Sequence, residues 1–187
     1  MRKLIYAMTQ SLDGYIEDRH GKFDFSVPDT EVHQSFNDLF DHVDTMLHGR
    51  RTWELMTYWF TADQAPNLVP VALDFAKRFQ KAKHYAFSRT LSEAGHGATL
   101  VSSDAVETVK GLKAQSGGDI TVSGPGLASQ LTRAGLVDEY WLYFAPVAIG
   151  AGGKPFFLDL DDPLELSFID SHVFSNGTVR LRYRRNG

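Results

Sequence analysis

The sequence predicts a three-layer α/β fold: a mixed, mainly parallel sheet with helices on both faces and an antiparallel C-terminal hairpin. Strand-like and helix-like segments alternate up to residue 134, the arrangement that builds parallel sheets through helical crossovers. Beyond it, residues 139–148, 164–174 and 178–185 read as strands with no helical segment between them. Ser175-Asn176-Gly177 supplies a hairpin turn signal between the last two.

Residues 4–12 form the first expected strand. A helix follows over 29–43, because Val32, Phe36, Leu39, Phe40 and Val43 recur at helical spacing and Asp29 suits its N-cap. A short strand at 45–48 leads into Gly49-Arg50-Arg51-Thr52. Helical segments then come at 53–58 and 71–82, the second with Ala72, Phe75, Ala76 and Phe79 facing inward. Strands at 84–88 and 98–101, a helix over 104–115 capped by Ser103, a strand at 119–123 and a helix over 127–134 complete the alternation. With no repeat, low-complexity tract or linker-like run, a single domain over 1–187 is expected. The run Tyr140-Trp141-Leu142-Tyr143-Phe144 suits either a core strand or a subunit interface.

Composition narrows the function classes. A chain of 187 residues with 43% hydrophobic content can build one continuous core. Its net charge of −4 gives no electrostatic reason to bind nucleic acid. The absence of cysteine excludes disulfides, thiolate nucleophiles, Fe–S clusters and cysteine-bound zinc, and fits a cytoplasmic location. The apolar stretch after Arg2-Lys3 stops at Thr9, too short for a signal peptide, so residue 1 is expected to begin the mature protein. The most apolar stretch, 140–153, contains Pro146 and glycines and is shorter than the roughly 20 residues of a membrane helix. The seven histidines have no metal-ligand spacing, and neither a G-x-S-x-G elbow nor a Walker A motif is present.

Three strand ends carry the vocabulary of phosphate binding. In Ser123-Gly124-Pro125-Gly126-Leu127 a strand gives way to a helix, so free N–H groups and absent Cβ atoms make either a pyrophosphate seat or a plain structural turn. No acidic residue stands about 20 positions downstream at the end of the next strand, which sets this apart from a Rossmann fingerprint. Gly49-Arg50-Arg51-Thr52 adds two guanidinium groups and a hydroxyl, a set suited to the phosphomonoester that separates NADP from NAD; solvated arginines are the alternative. Ser88-Arg89-Thr90 repeats that set and would form a second arm if its strand neighbours the first. Ser11-Leu12-Asp13-Gly14-Tyr15-Ile16 has the composition of a loop able to cover a planar ring, or of a simple turn.

In this order these four segments resemble the dihydrofolate reductase superfamily. Asp138-Glu139-Tyr140 through Ala145-Pro146-Val147-Ala148-Ile149-Gly150-Ala151-Gly152-Gly153 resembles, more narrowly, the riboflavin-biosynthesis reductase (RibD C-terminal) branch. The resemblance implies a dihydrofolate-reductase-like fold, a homodimer and an NADPH site. In it Ala7 and Ile16 lie at the nicotinamide, Gly49, Arg50, Arg51, Thr52, Ser88 and Arg89 at the 2′-phosphate, and Gly124, Pro125, Gly126 and Leu127 at the pyrophosphate, with Gly14, Tyr15 and Ser123 also binding the cofactor. It implies reduction of a small polar acceptor, as in the 5-amino-6-(5-phosphoribosylamino)uracil reductase, with Asp13 and Asp29 as candidate acids. Dihydrofolate reduction is an alternative, although neither Asp29 nor Glu31 falls in register with the acid that holds a pterin; a non-catalytic NADP-binding module is another. Without cysteine the chain cannot carry the zinc deaminase that precedes this reductase in bifunctional enzymes. The family's glycine pair often carries a cis peptide, so a cis Gly124–Pro125 bond is expected.

Overall fold

In the computed structural model, which describes residues 1–186, the first strand, β1 (Leu4–Gln10), is followed by the short β2 (Tyr15–Glu17) and by helix α1 (Thr30–Phe40). The carboxylate of Asp29 accepts a hydrogen bond from the Val32 N–H at 2.9 Å, which is the N-cap that the sequence predicts. Strand β3 (Val43–Gly49) takes in Val43, the residue expected to close the preceding helix. Helix α2 (Arg50–Met56) begins directly at the end of β3, a turn earlier than the apolar periodicity suggests, because its first turn is polar and carries no hydrophobic signal.

Helix α3 (Pro70–Lys81), β4 (Lys83–Phe87), β5 (Thr99–Val101) and α4 (Ala105–Ala114) follow. The cap of α4 is Asp104 rather than Ser103: its carboxylate accepts from the N–H groups of Val106 and Glu107, and its charge also favours the positive end of the helix. Asp104→Ala should lower stability by about 1 kcal/mol and the unfolding temperature by about 2–4 °C, with Ser103→Ala near neutral. Thermal denaturation of both variants checks this.

The chain continues with β6 (Asp119–Ser123), α5 (Pro125–Arg133), β7 (Glu139–Phe144), β8 (Lys154–Pro155), β9 (Leu166–Val173) and β10 (Val179–Arg185). Eight strands form one sheet in the order β5-β4-β3-β6-β1-β7-β10-β9, and β2 pairs with β8 apart from it. The neighbours from β5 to β7 run parallel; β10 is antiparallel to both β7 and β9. Gly177 (φ +84°) closes the hairpin.

The period of two along each strand distributes side chains to two layers. Leu4, Tyr6, Leu47, Ile120, Val122, Tyr140 and Leu142 meet Ala105, Val109 and Leu112 of α4 and Leu127, Ala128 and Leu131 of α5. Ile5, Trp141 and Tyr143 face the other way, onto Val32 and Leu39 of α1, while Met46 and Ala86 meet Phe75 and Phe79 of α3. The aromatic run 140–144 is therefore a core strand, five of its residues dividing between two packed layers. Among the described residues no helix is long and apolar enough to cross a membrane.

Candidate functional site

A cleft of about 1100 Å³ opens across the C-terminal ends of β1, β3, β4, β5 and β6. This is the edge at which open α/β sheets collect ligands. Of the expected cofactor-binding residues, Ala7, Ile16, Gly49, Arg50, Arg51, Thr52, Ser88, Arg89 and all of Ser123 to Leu127 line it. Gly14 and Tyr15 do not. Gly14 (φ +87°) accepts a hydrogen bond from the Phe156 N–H, and Tyr15 pairs with Pro155, so both hold the strand that delivers Ile16 to the wall.

The glycine turn after β6 is built by conformation. Gly124 sits at φ +96°, and a Cβ there would lie 2.7 Å from the Thr52 Oγ. Thr52 thus packs the start of α2 onto the turn. The Gly124–Pro125 peptide is trans, contrary to the cis bond expected: positive φ at Gly124 redirects the chain, and Pro125 then occupies the first helical position, where it needs no N–H partner. A Cβ on Gly126 would meet nothing within 4 Å, and the N–H groups of Gly126 and Leu127 have no partner among the described residues. The turn therefore presents two free donors, a helix N-terminus and room for an anion.

Because β3 and β4 are paired neighbours, with Gly49 opposite Phe87, the arginine turn and the 88–90 turn share one side of the cleft. Ser88 Oγ accepts from the N–H groups of Thr90 and Leu91 at 3.1 Å, and an Arg50 Nη donates to Thr90 Oγ1 at 3.4 Å. Arg50, whose Nε lies 3.9 Å from the Glu54 carboxylate, and Arg89 both line this part of the cleft. Arg51 diverges: its guanidinium donates to Glu17 at 3.1 Å and to the Gly21 carbonyl at 3.2 Å, tying α2 to the loop after β2.

The structure brings neither candidate acid into the cleft wall. Asp13 accepts from Ser11 Oγ at 2.6 Å and from the N–H groups of Ile149 and Gly150, bonds that hold its carboxyl below the usual carboxylate range. It clamps the first loop to residues 149–150, while Asp29 caps α1. Glu31 is bound to Ser175.

Three buried histidines, by contrast, were not singled out by the sequence. His84 Nε2 lies 2.7 Å from the Phe79 carbonyl, so it carries the proton and leaves Nδ1 as acceptor for His48 Nε2–H at 3.1 Å. His48 Nδ1 then accepts from the Ser123 hydroxyl at 3.0 Å. Burial, assisted by the neighbouring His84, pushes His48 down to about 3, and burial also lowers His84, so both stay neutral and the polarity of the relay is fixed. The Ser123 hydroxyl also lies 3.3 Å from the Leu47 carbonyl, so its one proton is engaged inside the protein and its oxygen is left as an acceptor. His33, 9% exposed, forms part of the wall beside Trp59 and Phe75. A sequence signal existed only for His33, a polar residue on the inward stripe of α1; the His48–His84 contact joins positions that local pattern does not connect.

The model for the RibD C-terminal domain matches residues 2–180. The uncharacterized protein YyaP of Bacillus subtilis (strain 168) is 32% identical over 187 residues, covering this whole chain and 96% of that protein. Among solved structures, a protein from Shewanella sp. PV-4 named for riboflavin biosynthesis is 25% identical, with both chains fully covered and a TM-score of 0.77. Dihydrofolate reductase from Enterococcus faecalis, in complex with NADP(H), shares the fold at 16% identity, over 99% of this chain and 97% of that one, with a TM-score of 0.67. The eight-stranded sheet, the helices on its two faces and the match along nearly all of its length make this chain a member of the RibD C-terminal domain family, with the dihydrofolate-reductase-like fold.

Proposed function

We propose that this chain is an NADPH-dependent reductase that passes hydride to a small acceptor bound beside the nicotinamide. The observation that carries the reading is the open cradle at Gly126: two unpartnered N–H groups and space for an anion, in the same cleft as Arg50 and Arg89. Those groups supply the donors that a dinucleotide phosphate needs, and the reading puts the glycine turn on the pyrophosphate and the arginine pair on the 2′-phosphate. Ala7 and Ile16 would flank the nicotinamide, which when bound supplies the hydride. The protein's own part is orientation and an acceptor at Ser123 for an N–H or O–H of the cofactor. Dihydrofolate reduction is disfavoured, because both α1 carboxylates near the expected position, Asp29 and Glu31, are engaged elsewhere.

Fluorescence titration with NADPH and NADH tests the assignment. Arg50→Ala should raise the NADPH dissociation constant by about 10–100-fold, the loss of one charge-assisted phosphate contact, and change NADH by less than about threefold. Equal weakening of both cofactors, or no preference for NADPH in the wild type, would remove the 2′-phosphate from this position.

A further inference from the structure

Charge is unevenly divided within the cleft. Its cations, Arg50, Arg51, Arg89 and Lys154, and its carboxylate, Glu17, all belong to the strand ends, the start of α2 and the β2–β8 pair. The opposite wall comes from residues 23–28, α1, the end of α2, the single turn at Thr57–Phe60 and α3, and it contributes no Lys, Arg, Asp or Glu. Half of the exposed large apolar side chains among the described residues lie on this one wall: Phe23, Val27, Leu55, Tyr58 and Val69. Apolar surface concentrated in a concave site marks a ligand that removes it from water.

One polar group interrupts that wall in its buried part. His33 is more than nine-tenths buried, its ring 5.8 Å from that of Trp59 and 5.2 Å from that of Phe75, and neither ring nitrogen has a hydrogen-bond partner among the described residues. Every other buried histidine is satisfied on both nitrogens. A neutral imidazole has one donor and one acceptor, and here neither nitrogen is sealed from solvent, so both are offered to whatever occupies the cleft.

We infer that the acceptor reduced here is an uncharged, flat, mainly apolar molecule whose single carbonyl- or imine-type polar atom is hydrogen-bonded by His33. This rests on the reductase reading and gives its acceptor a chemical class. A phosphorylated or carboxylated acceptor would lose its water against this wall with no cation to replace it. The ribosyl phosphate of the acceptor that the family resemblance suggests therefore has no counter-charge on this side of the cleft.

Ligand-observed NMR and fluorescence titration with four probes test the inference: acetophenone, its apolar isostere ethylbenzene, benzoate and ribose 5-phosphate. Wild type should bind acetophenone about fivefold more tightly than ethylbenzene, the worth of one neutral hydrogen bond, and at least tenfold more tightly than benzoate or ribose 5-phosphate. His33→Phe, which keeps an aromatic ring against Trp59 and Phe75, should erase the difference between acetophenone and ethylbenzene while both still bind. Val69→Lys, at an exposed position of the wall, should raise benzoate binding by about fivefold or more. NADPH titration of the same samples separates the two readings. Normal NADPH binding with tighter ribose 5-phosphate than acetophenone, with no ketone binding, or with an unchanged ketone preference in His33→Phe, overturns the acceptor class and leaves the cofactor reading standing. Ketone binding without NADPH binding overturns the reductase reading, and with it the ligand's role as an acceptor, while the chemical class of the ligand stands.

Discussion

Gly126→Val should weaken NADPH binding at least about 100-fold and leave the fold intact. Gly126 is exposed in the first turn of α5, and a Cβ there meets no atom of another element within 4 Å, so the new side chain starts into open space. Valine is no poorer a helix residue than glycine, and the unfolding temperature should stay within about 2 °C of wild type. The space it fills is the space assigned to the pyrophosphate. Overlap there displaces the ligand from the N–H groups of Gly126 and Leu127, and two lost charge-assisted hydrogen bonds amount to about 3–6 kcal/mol before any relaxation. A loss of about 2.7 kcal/mol already corresponds to 100-fold.

Gly124→Ala two residues earlier should behave differently. At φ +96° and with Thr52 Oγ 2.7 Å from the new Cβ, it should destabilise the protein as well as the site. Paired calorimetric and binding measurements separate the two outcomes. Unaltered NADPH affinity in Gly126→Val would show that the pyrophosphate is bound elsewhere.

The contrast between those glycines shows what local pattern can and cannot convey. The spacing of Gly124 and Gly126 between an apolar strand and an amphipathic helix was enough to mark the turn, since both requirements are local. Which glycine bends the chain and which leaves room for a ligand depends on Thr52, which arrives from another strand end. The same division holds elsewhere. Hydrophobic periodicity located the eight-strand sheet and its helices, but α2 begins in polar residues and β2 and β8 span three and two residues, below the length at which alternation is readable. Residue type makes Asp13 and Asp29 candidate acids, but Asp29 accepts from the Val32 N–H and Asp13 from the Ser11 hydroxyl and from main-chain N–H groups, one of them 136 residues away in sequence at Ile149. The apolar wall opposite the arginines is assembled from separate segments, so no single stretch of sequence announces it.

Lowering the pH from 7 to 4.5 should destabilise the protein, and over most of that range the buried histidines are the cause. His48 is held at about 3, with His84 and His33 also lowered by burial, against an ordinary value of 6.5. In the unfolded chain each takes up a proton near 6.5, whereas the folded protein resists protonation until a lower pH. The unfolded state therefore binds more protons below 6.5. Stability contributed by the neutral histidines is fully present above that pH and is lost as pH falls toward 3. The slope is about 1.4 kcal/mol per pH unit for each histidine that remains neutral, so His48 alone subtracts about 2–3 kcal/mol between pH 6.5 and 4.5. For a domain of this size that lowers the unfolding temperature by about 5–10 °C. Asp44 and Glu139, whose carboxyls lie below the usual range, add their loss only at more acid pH. His48→Gln retains a donor toward His84 and an acceptor for Ser123, so it should fold, with lower stability at pH 7 and a shallower decline down to pH 4.5. A wild-type unfolding temperature that is flat between pH 6.5 and 4.5 would mean that the His48–His84 pair is not held neutral. Ser123 Oγ, 3.0 Å from His48 Nδ1, would then face a donor there instead of an acceptor.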